Sequence, residues 1–176
     1  ERELPIDPYL MGYWLGNGSS TDYEITVRDS DVEAVRTQIS YEIKSEVVQP
    51  GSHRLRIPAL KAILVDSFRD KAIPSEYLRA SEGQRWSLLQ GLMDSDGCIS
   101  REKSQSVYVS TIRQLAESVR ELLWSLGVKN AMTVGPPLRY GEPTGETLYT
   151  IRFTTFDDQP TSRLKRKYDR KRERTK

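Results

Sequence analysis

Apolar residues recur along this chain in two rhythms, one helical and one alternating, and the order of the two repeats. Residues 4–8 are bounded by Pro5 and Pro8 and read as extended. The run from Pro8 to Gly16 is apolar with helical character, and Asn17-Gly18 marks its end. In residues 23–28, Ile25 and Val27 share one face of a strand, with Glu24, Thr26 and Arg28 on the other. Ser30 can cap a helix in which Val32, Val35 and Ile39 recur at i, i+3 and i+7. Strands are expected at 41–48 and 53–57, split by Pro50-Gly51, with Arg54 and Arg56 opposite Leu55 and Ile57. A helix is expected at 58–68, then a Pro-containing link.

The order then restarts. Residues 82–93 read as a helix that stops at Asp96-Gly97. Val107 and Val109 alternate with Ser106, Tyr108 and Ser110. A long amphipathic helix is expected at 114–126, ended by Gly127. A strand at 131–134, a Pro/Gly-rich hairpin at 135–146 and a strand at 147–153 follow. In that last strand Tyr149, Ile151 and Phe153 point inward and Thr150 and Arg152 outward. The two helix ends, Asn17-Gly18 and Asp96-Gly97, lie 79 residues apart. Two copies at so long a period imply a pseudo-twofold molecule, not a solenoid. Small residues recur four apart in both helices, Gly12 with Gly16 and Gly91 with Ser95, so each pair lies on one helix face. Glycine inside a helix costs about 1 kcal/mol against alanine. Close helix–helix approach is the packing reason that would offset it.

Composition narrows the class. At 176 residues with 36% hydrophobic and 30% charged residues the chain can build a real core. A single cysteine excludes an internal disulfide and a cysteine-rich zinc module, and fits a reducing compartment. No apolar run nears the length of a membrane span, and the N-terminus is not a signal peptide. The net charge of +2 conceals an asymmetry. Residues 161–176 hold nine basic and two acidic residues, which leaves residues 1–160 at −5. A basic run so dense suits a polyanion such as nucleic acid, or is a solvated tail.

If the two repeated helices pack side by side and parallel, Asn17 and Asp96 become neighbours. Acidic groups there would hold a divalent cation through oxygen and serve displacement at phosphorus. The alternative is that both are ordinary helix-end residues before a glycine. Leu89-Gln90-Gly91-Leu92-Met93-Asp94-Ser95-Asp96-Gly97 resembles the LAGLIDADG motif, differing at Gln90, Met93 and Ser95. Leu10-Met11-Gly12-Tyr13-Trp14-Leu15-Gly16-Asn17-Gly18 resembles the divergent first copy of single-chain members. The intervening K-x-I-P link and residues 110–128 are similar to the endonuclease domains of helicase-type inteins. The resemblance covers residues 4–167.

That resemblance implies an α+β fold of two αββαββα halves, residues 1–80 and 81–160, ahead of a basic tail at 161–176. Two antiparallel sheets would form a saddle over double-stranded DNA. It implies a monomeric, metal-dependent endonuclease acting on a long asymmetric target and leaving 3′ overhangs. Its cofactor would be Mg²⁺, and Ca²⁺ could occupy the site without supporting cleavage. Asp96 would be a metal ligand with the carbonyls of Gly16 and Ser95. Asn17 stands where the first motif has its acid, so one anionic ligand is missing and one cut should be spoiled. Decay of an endonuclease or a deliberate Asp-to-Asn change would each account for it; the intact motif around Asn17 favours the second. Lys71 matches a lysine beside the metal site, and pseudo-symmetry makes Lys167 its partner, with Lys165 as the alternative. Outward strand positions supply the expected DNA contacts: Glu24, Thr26, Arg28, Lys44, Arg54, Arg56, Arg101, Lys103, Tyr108, Ser110, Arg139 and Arg152. Any of these can instead be a solvated sheet residue.

His53 shows no partner constellation in the sequence, and Cys98 reads as a small, partly buried residue. The terminal residues of an intein, an N-terminal Cys or Ser and a C-terminal His-Asn, are not at the chain ends given. The expectation is an endonuclease domain without splicing activity, located in the cytoplasm with its DNA and not secreted. Two other readings stay open: a DNA-binding protein that keeps the saddle without cleavage, favoured by Asn17, and an RNA maturase, disfavoured by the intein-like links.

Overall fold

A computed structural model describes residues 3–19, 21–63, 71–100, 105–139, 142–143, 145–156 and 159–169. Two helices form its centre. Helix α1, Pro8–Asn17, begins at Asp7, whose carboxylate accepts from the Leu10 N–H at 3.1 Å, with Pro8 in the first turn where no amide partner is needed. It is apolar all round, and Pro8 through Leu15 are buried.

The chain then runs through β1 (Glu24–Arg28), a 3₁₀ turn at Asp29–Asp31, α2 (Val32–Gln38), β2 (Ser45–Gln49) and β3 (Ser52–Arg56). A short α3, Ser75–Leu78, precedes α4, Glu82–Ser95. Helix α4 opens with a reciprocal cap: Ser81 Oγ accepts from the Gln84 N–H and the Gln84 side chain accepts from the Ser81 N–H. The second half continues as β4 (Gly97–Ser100), β5 (Gln105–Ser110), α5 (Arg113–Ser125), β6 (Asn130–Gly135), a finger of β7 (Leu138–Arg139) and β8 (Glu142–Pro143), β9 (Leu148–Phe153) and α6 (Lys165–Tyr168).

Helices α1 and α4 touch through their backbones. A Cβ added to Gly12 would lie 2.1 Å from the Leu88 carbonyl oxygen, and one on Gly91 would lie 2.1 Å from that of Tyr9. The same relation appears twice across the pseudo-dyad. One turn on, a Cβ at Gly16 would strike Ser95 Oγ at 2.1 Å. No side chain larger than hydrogen fits at these crossings, which is the physical need behind glycines in buried helices.

Both sheets are antiparallel. The first has the order β1-β3-β2, and the second β4-β5-β9-β6. Among the described residues the first half has one strand fewer than an αββαββα unit: where β4 follows α4 and pairs along β5, the chain after α1 makes a single bridge, Gly18 with Ile25, before β1. Its β2–β3 hairpin closes through Pro50-Gly51, with Gly51 at φ 80°. Helix α5 buries Leu115, Ala116, Val119, Leu122 and Leu123, and ends where Gly127 takes φ 72° and the Val128 N–H reaches the Leu123 carbonyl. Of the helix expected at 58–68, the described part is a 3₁₀ turn, Pro58–Ala62; residues 64–68 lie outside the description.

In β5 the expected facing is reversed. Tyr108 pairs with Ile151 and Ser106 with Phe153, and β9 turns Ile151 and Phe153 into the core. Tyr108 is fully buried and cannot be a surface contact; Val107 and Val109 take the outward face. Ser106 is tolerated inside because its hydroxyl bonds Thr161 Oγ1 at 3.0 Å.

Residues 161–169, the start of the expected basic tail, dock across both halves. Asp94 of α4 is buried and accepts from the Tyr9 hydroxyl, the Ser162 hydroxyl and the Arg163 N–H. Arg163 reaches Gln90 at 2.7 Å, Ser87 at 2.6 Å and Gln38 of α2 at 3.1 Å, and stacks over the Tyr9 ring. Arg166 forms a two-pronged pair with the buried Asp31. Burial raises the Asp31 pKa, but the hydrogen bonds and charge of Arg166 outweigh it and hold the carboxyl below its usual range.

Two predictions follow from this packing. Gly91→Ala should lower stability by about 1–3 kcal/mol through forced separation of α1 and α4. Gly83→Ala, where a Cβ meets nothing within 4 Å, should instead raise it by about 0.5–1 kcal/mol. Calorimetric melting of the two variants decides; equal and small effects would contradict the backbone contact. The Asp31 pair, having a depressed folded-state pKa, contributes in full above the ordinary carboxylate value of about 3.9 and is lost as pH falls through the lower folded value. Denaturant titrations should show a loss of stability in that acid range that is smaller in Asp31→Asn.

Candidate metal and nucleic-acid site

The ends of α1 and α4 emerge side by side. Asn17 is the last residue of α1, and Asp96 follows α4 directly, its N–H bonded to the Leu92 carbonyl at 3.1 Å. Asp96 lies against Gly16: a Cβ there would come within 3.1 Å of Asp96 Oδ2. The Asn17 side chain is hydrogen-bonded to the Tyr13 hydroxyl. An open cavity of about 460 Å³ takes in Asn17, Asp96, Tyr13 and Lys167. A second, of about 270 Å³, takes in Asp96, Gly16 and Lys71. Asp96 thus stands between two lysine-lined cavities.

The two lysines occupy related places. Lys71 Nζ donates to the Gly18 carbonyl at 2.6 Å, and Lys167 Nζ donates to that of Gly97 at 2.8 Å. Gly18 and Gly97 are the same motif position, 79 residues apart. Their surroundings differ. Lys167 also bonds the carbonyls of Met93 at 2.7 Å and Asp94 at 2.8 Å, with that of Ser95 at 3.4 Å. It is 5% exposed, so its ammonium is enclosed by the last carbonyls of α4 and acts as that helix's C-terminal cap. Lys71 sits over the Trp14 ring at 5.4 Å, half-buried, in a left-handed backbone conformation at φ 45° that a side chain rarely adopts.

Burial raises the Asp96 pKa, against the opposing pull of Lys71 and Lys167. Burial likewise lowers that of Lys71, opposed by Asp96. Burial pulls Lys167 down to about 8, opposed mainly by Asp94. A buried carboxyl between two cations is an arrangement in which a bound cation would favour the ionised form.

The donors available are the Asp96 carboxylate, the Asn17 amide oxygen and the carbonyls of Gly16 and Ser95. All are oxygen, which suits a hard divalent cation, with one negative charge where two carboxylates would give two. Among the described residues no three His, Cys, Asp or Glu side chains cluster as a metal site, so this mixed set is what the site offers.

The outward strand faces hold part of the expected DNA-contact set. Thr26 and Arg28 of β1 and Arg54 and Arg56 of β3 share the face away from the core. Glu24 on that face pairs with Arg56 at 3.4 Å and Arg54 at 3.8 Å. Lys44 is exposed just before β2, its N–H bonded to the Arg56 carbonyl. Arg152 is exposed on β9 and donates to Thr133 Oγ1 at 2.9 Å. Ser110 instead closes a turn with Ile112 at the end of β5. Arg101 and Lys103 lie outside the described residues, and only the backbone of Arg139, in β7, is described. Lys165 is exposed beside Asp169, away from the carbonyls that hold Lys167.

Cys98 is exposed at the rim of the larger cavity, not partly buried as expected, because β4 turns it outward opposite Val107. His53 does have partners: Nδ1 meets Glu46 and Nε2 meets Asp29 at 3.2 Å, and it lines neither of the two cavities at Asp96. Sequence reasoning gave no role to Asp94, Arg163, Arg166 and Asp31, which join residues up to 135 positions apart. The local signals were the second acid inside the motif, Asp94 itself, and the Arg163-Leu164-Lys165-Arg166-Lys167 run, similar to the ending R-L-x-R-K of that family.

Residues 84–158 match the family model of a LAGLIDADG-like domain. The replicative DNA helicase DnaB of Mycobacterium intracellulare is 34% identical over 155 residues, which is 88% of this chain. The chain spans 25% of the length of that relative. Among solved structures, the homing endonuclease I-DmoI in complex with DNA and Mn is similar over 85% of this chain and 89% of its own, with TM-score 0.56 and 16% identity. A glycine-to-serine variant of I-DmoI with its target DNA and Mg gives TM-score 0.57 at 15% identity, over the same shares of the two chains. At such identity these structures establish the fold alone. No described helix is long and apolar enough to cross a membrane. This chain carries a LAGLIDADG-like domain at residues 84–158 and has the α+β fold, with two antiparallel sheets, of the LAGLIDADG homing endonucleases.

Proposed function

We propose that this chain is the endonuclease domain of an intein lodged in a replicative helicase, of a kind that hydrolyses both strands of a long asymmetric DNA target to leave 3′ overhangs, here inactivated or reduced to nicking by Asn17. The observation that carries it is the meeting of Asn17 and Asp96 at the ends of α1 and α4, with Lys71 and Lys167 on the equivalent carbonyls of Gly18 and Gly97. The DnaB relative supports the helicase host, and neighbours solved with target DNA and Mn or Mg support the substrate and the metal. The chain would act as a monomer, in the compartment that holds its DNA.

Asp96, Asn17 and the carbonyls of Gly16 and Ser95 would hold Mg²⁺, which supplies Lewis-acid activation of the phosphate and lowers the pKa of water; Ca²⁺ fits the same oxygens without supporting cleavage. Lys71 has one hydrogen-bond acceptor among the described residues and lines an open cavity with Asp96, so its remaining N–H groups can reach a phosphate oxygen and stabilise developing charge. Lys167 acts by positioning: its ammonium fixes the last turn of α4 and hence the Ser95 carbonyl and Asp96. Asn17 keeps an oxygen donor without charge, which impairs the cut it serves.

Cleavage of a supercoiled plasmid bearing the intein-free helicase insertion site tests this. With Mg²⁺ the chain should nick or bind only, and Asn17→Asp should linearise. If both bind tightly and neither cuts, the second reading holds: a sequence-specific DNA-binding protein on the same fold, which the missing acid at Asn17 favours.

The lysines should separate in that Asn17→Asp background. Lys71→Met should cut at least about 100-fold more slowly with little change in melting temperature. Lys167→Met should lower the melting temperature by about 2–8 °C, since it leaves buried carbonyls unpaired at about 1–3 kcal/mol. Equal thermal effects in the two variants would refute the division of roles.

A further inference from the structure

The outward faces of the two sheets open on one cavity: Arg28 of β1 and Cys98 of β4 both line it, beside Asn17 and Asp96. A duplex lying over that cavity would cross both faces, yet their chemistry differs. On the first sheet, Arg28, Arg54 and Arg56 project beside Thr26. Glu24 holds the last two arginines in place across the strands. Val47 of β2, opposite Arg54, is the apolar member of this face. On the second sheet, the outward positions run Cys98 and Ser100 on β4, Gln105, Val107 and Val109 on β5, Thr150 and Arg152 on β9, and Ala131 and Thr133 on β6, with the apolar and threonine positions central and Gln105 and Ser100 paired at one end. Arg152 is the one cation on these strand positions, and its guanidinium is already engaged by Thr133.

Guanidinium forks match guanine O6 and N7, while valine, alanine and threonine methyls match the 5-methyl of thymine. We infer that the two sheets select their half-sites by different chemistry: the first by arginine hydrogen bonds to guanine, the second by apolar contact with thymine methyls. This rests on the proposal that the chain binds DNA in a sequence-specific way, and it specifies that target. The selected DNA is guanine-rich under the first sheet and thymine-rich under the second. One register constraint follows from the geometry: Val109, Thr150 and Thr133 form one row of cross-strand pairs, with Val107 next along β5 and Ala131 next along β6 on either side of Arg152, so the contacted thymines are clustered.

The test uses the full chain and a randomised duplex pool, so it does not depend on the helicase gene as target. Each half of the selected duplex is then altered separately, and affinity is read by fluorescence anisotropy. Uracil in place of thymine in the second-sheet half should weaken binding about threefold to fourfold for each contacted methyl. 7-Deazaguanine in the first-sheet half should weaken it at least about fivefold. Arg54→Ala should abolish part of the deazaguanine effect, in its half only. Val107→Ser should abolish part of the uracil effect, and the exposed Thr133→Ser, which removes one methyl without touching the core, should do so with no change in melting temperature. Equal sensitivity of both halves to both base changes, or uracil effects that survive the two second-sheet variants, would overturn the inference while leaving DNA binding intact. A pool from which no sequence is enriched would instead defeat the reading of the chain as a site-specific DNA binder.

Discussion

The backbone contact between α1 and α4 is the constraint on which the rest depends. Gly12 faces the Leu88 carbonyl and Gly91 faces that of Tyr9, so neither helix can move outward or turn without losing the crossing. Because the contact sits on a pseudo-dyad, it brings the two helix ends to one place. Asn17 and Asp96 are neighbours for that reason, and the second sheet starts directly beyond its helix at Gly97. Buried glycine is unfavourable in each helix taken alone, and becomes favourable only when the partner helix occupies the space the side chain would have filled.

The site built at this point is electrostatically uneven. One carboxylate and one amide meet two ammonium groups, and burial disfavours every charged form present. The unevenness extends to the lysines. Lys167 is enclosed by α4 carbonyls, whereas Lys71 keeps open cavity on one side and carries the strained backbone. Two lysines on equivalent carbonyls need not have equivalent surroundings: one completes a helix end, and the other lines an open cavity.

The segment at 161–169 gives the duplication its closure. Through Arg163 it touches α2, α4 and the Tyr9 ring, and through Arg166 it reaches Asp31 in the first half. The Arg166–Asp31 pair has a buried carboxylate, which strengthens it relative to the exposed ion pairs on the sheets, whereas the Arg163 side-chain bonds lie at the surface. The same segment delivers Lys167 to the end of α4. The basic character of the C-terminal stretch therefore has a structural part, in residues 163–167, that charge counting alone assigned to a polyanion.

Much of this was written in the sequence. Helix ends at Asn17-Gly18 and Asp96-Gly97, the period of 79 residues, the paired small residues and the strands around Ile25, Leu55 and Ile151 are all local patterns, set by capping, steric and side-chain alternation rules. The pairing of Asn17 with Asp96 was legible too, because symmetry turns a repeat into a contact. What local pattern could not decide was facing and partnership. Tyr108 and Val107 have equal claim to a core position until β9 sets Ile151 and Phe153 on one side of β5. The first sheet has three strands among the described residues because the stretch after α1 makes only the Gly18–Ile25 bridge where the second half forms β4, and Asp31, in the turn after β1, finds its partner in Arg166, 135 residues away. Lys167 and Lys165 are alike as sequence; only the carbonyls left open at the end of α4 distinguish them. Periodicity fixes which residues share a face. Which face is buried, and which distant group satisfies a buried charge, is decided by the energy of the assembled core.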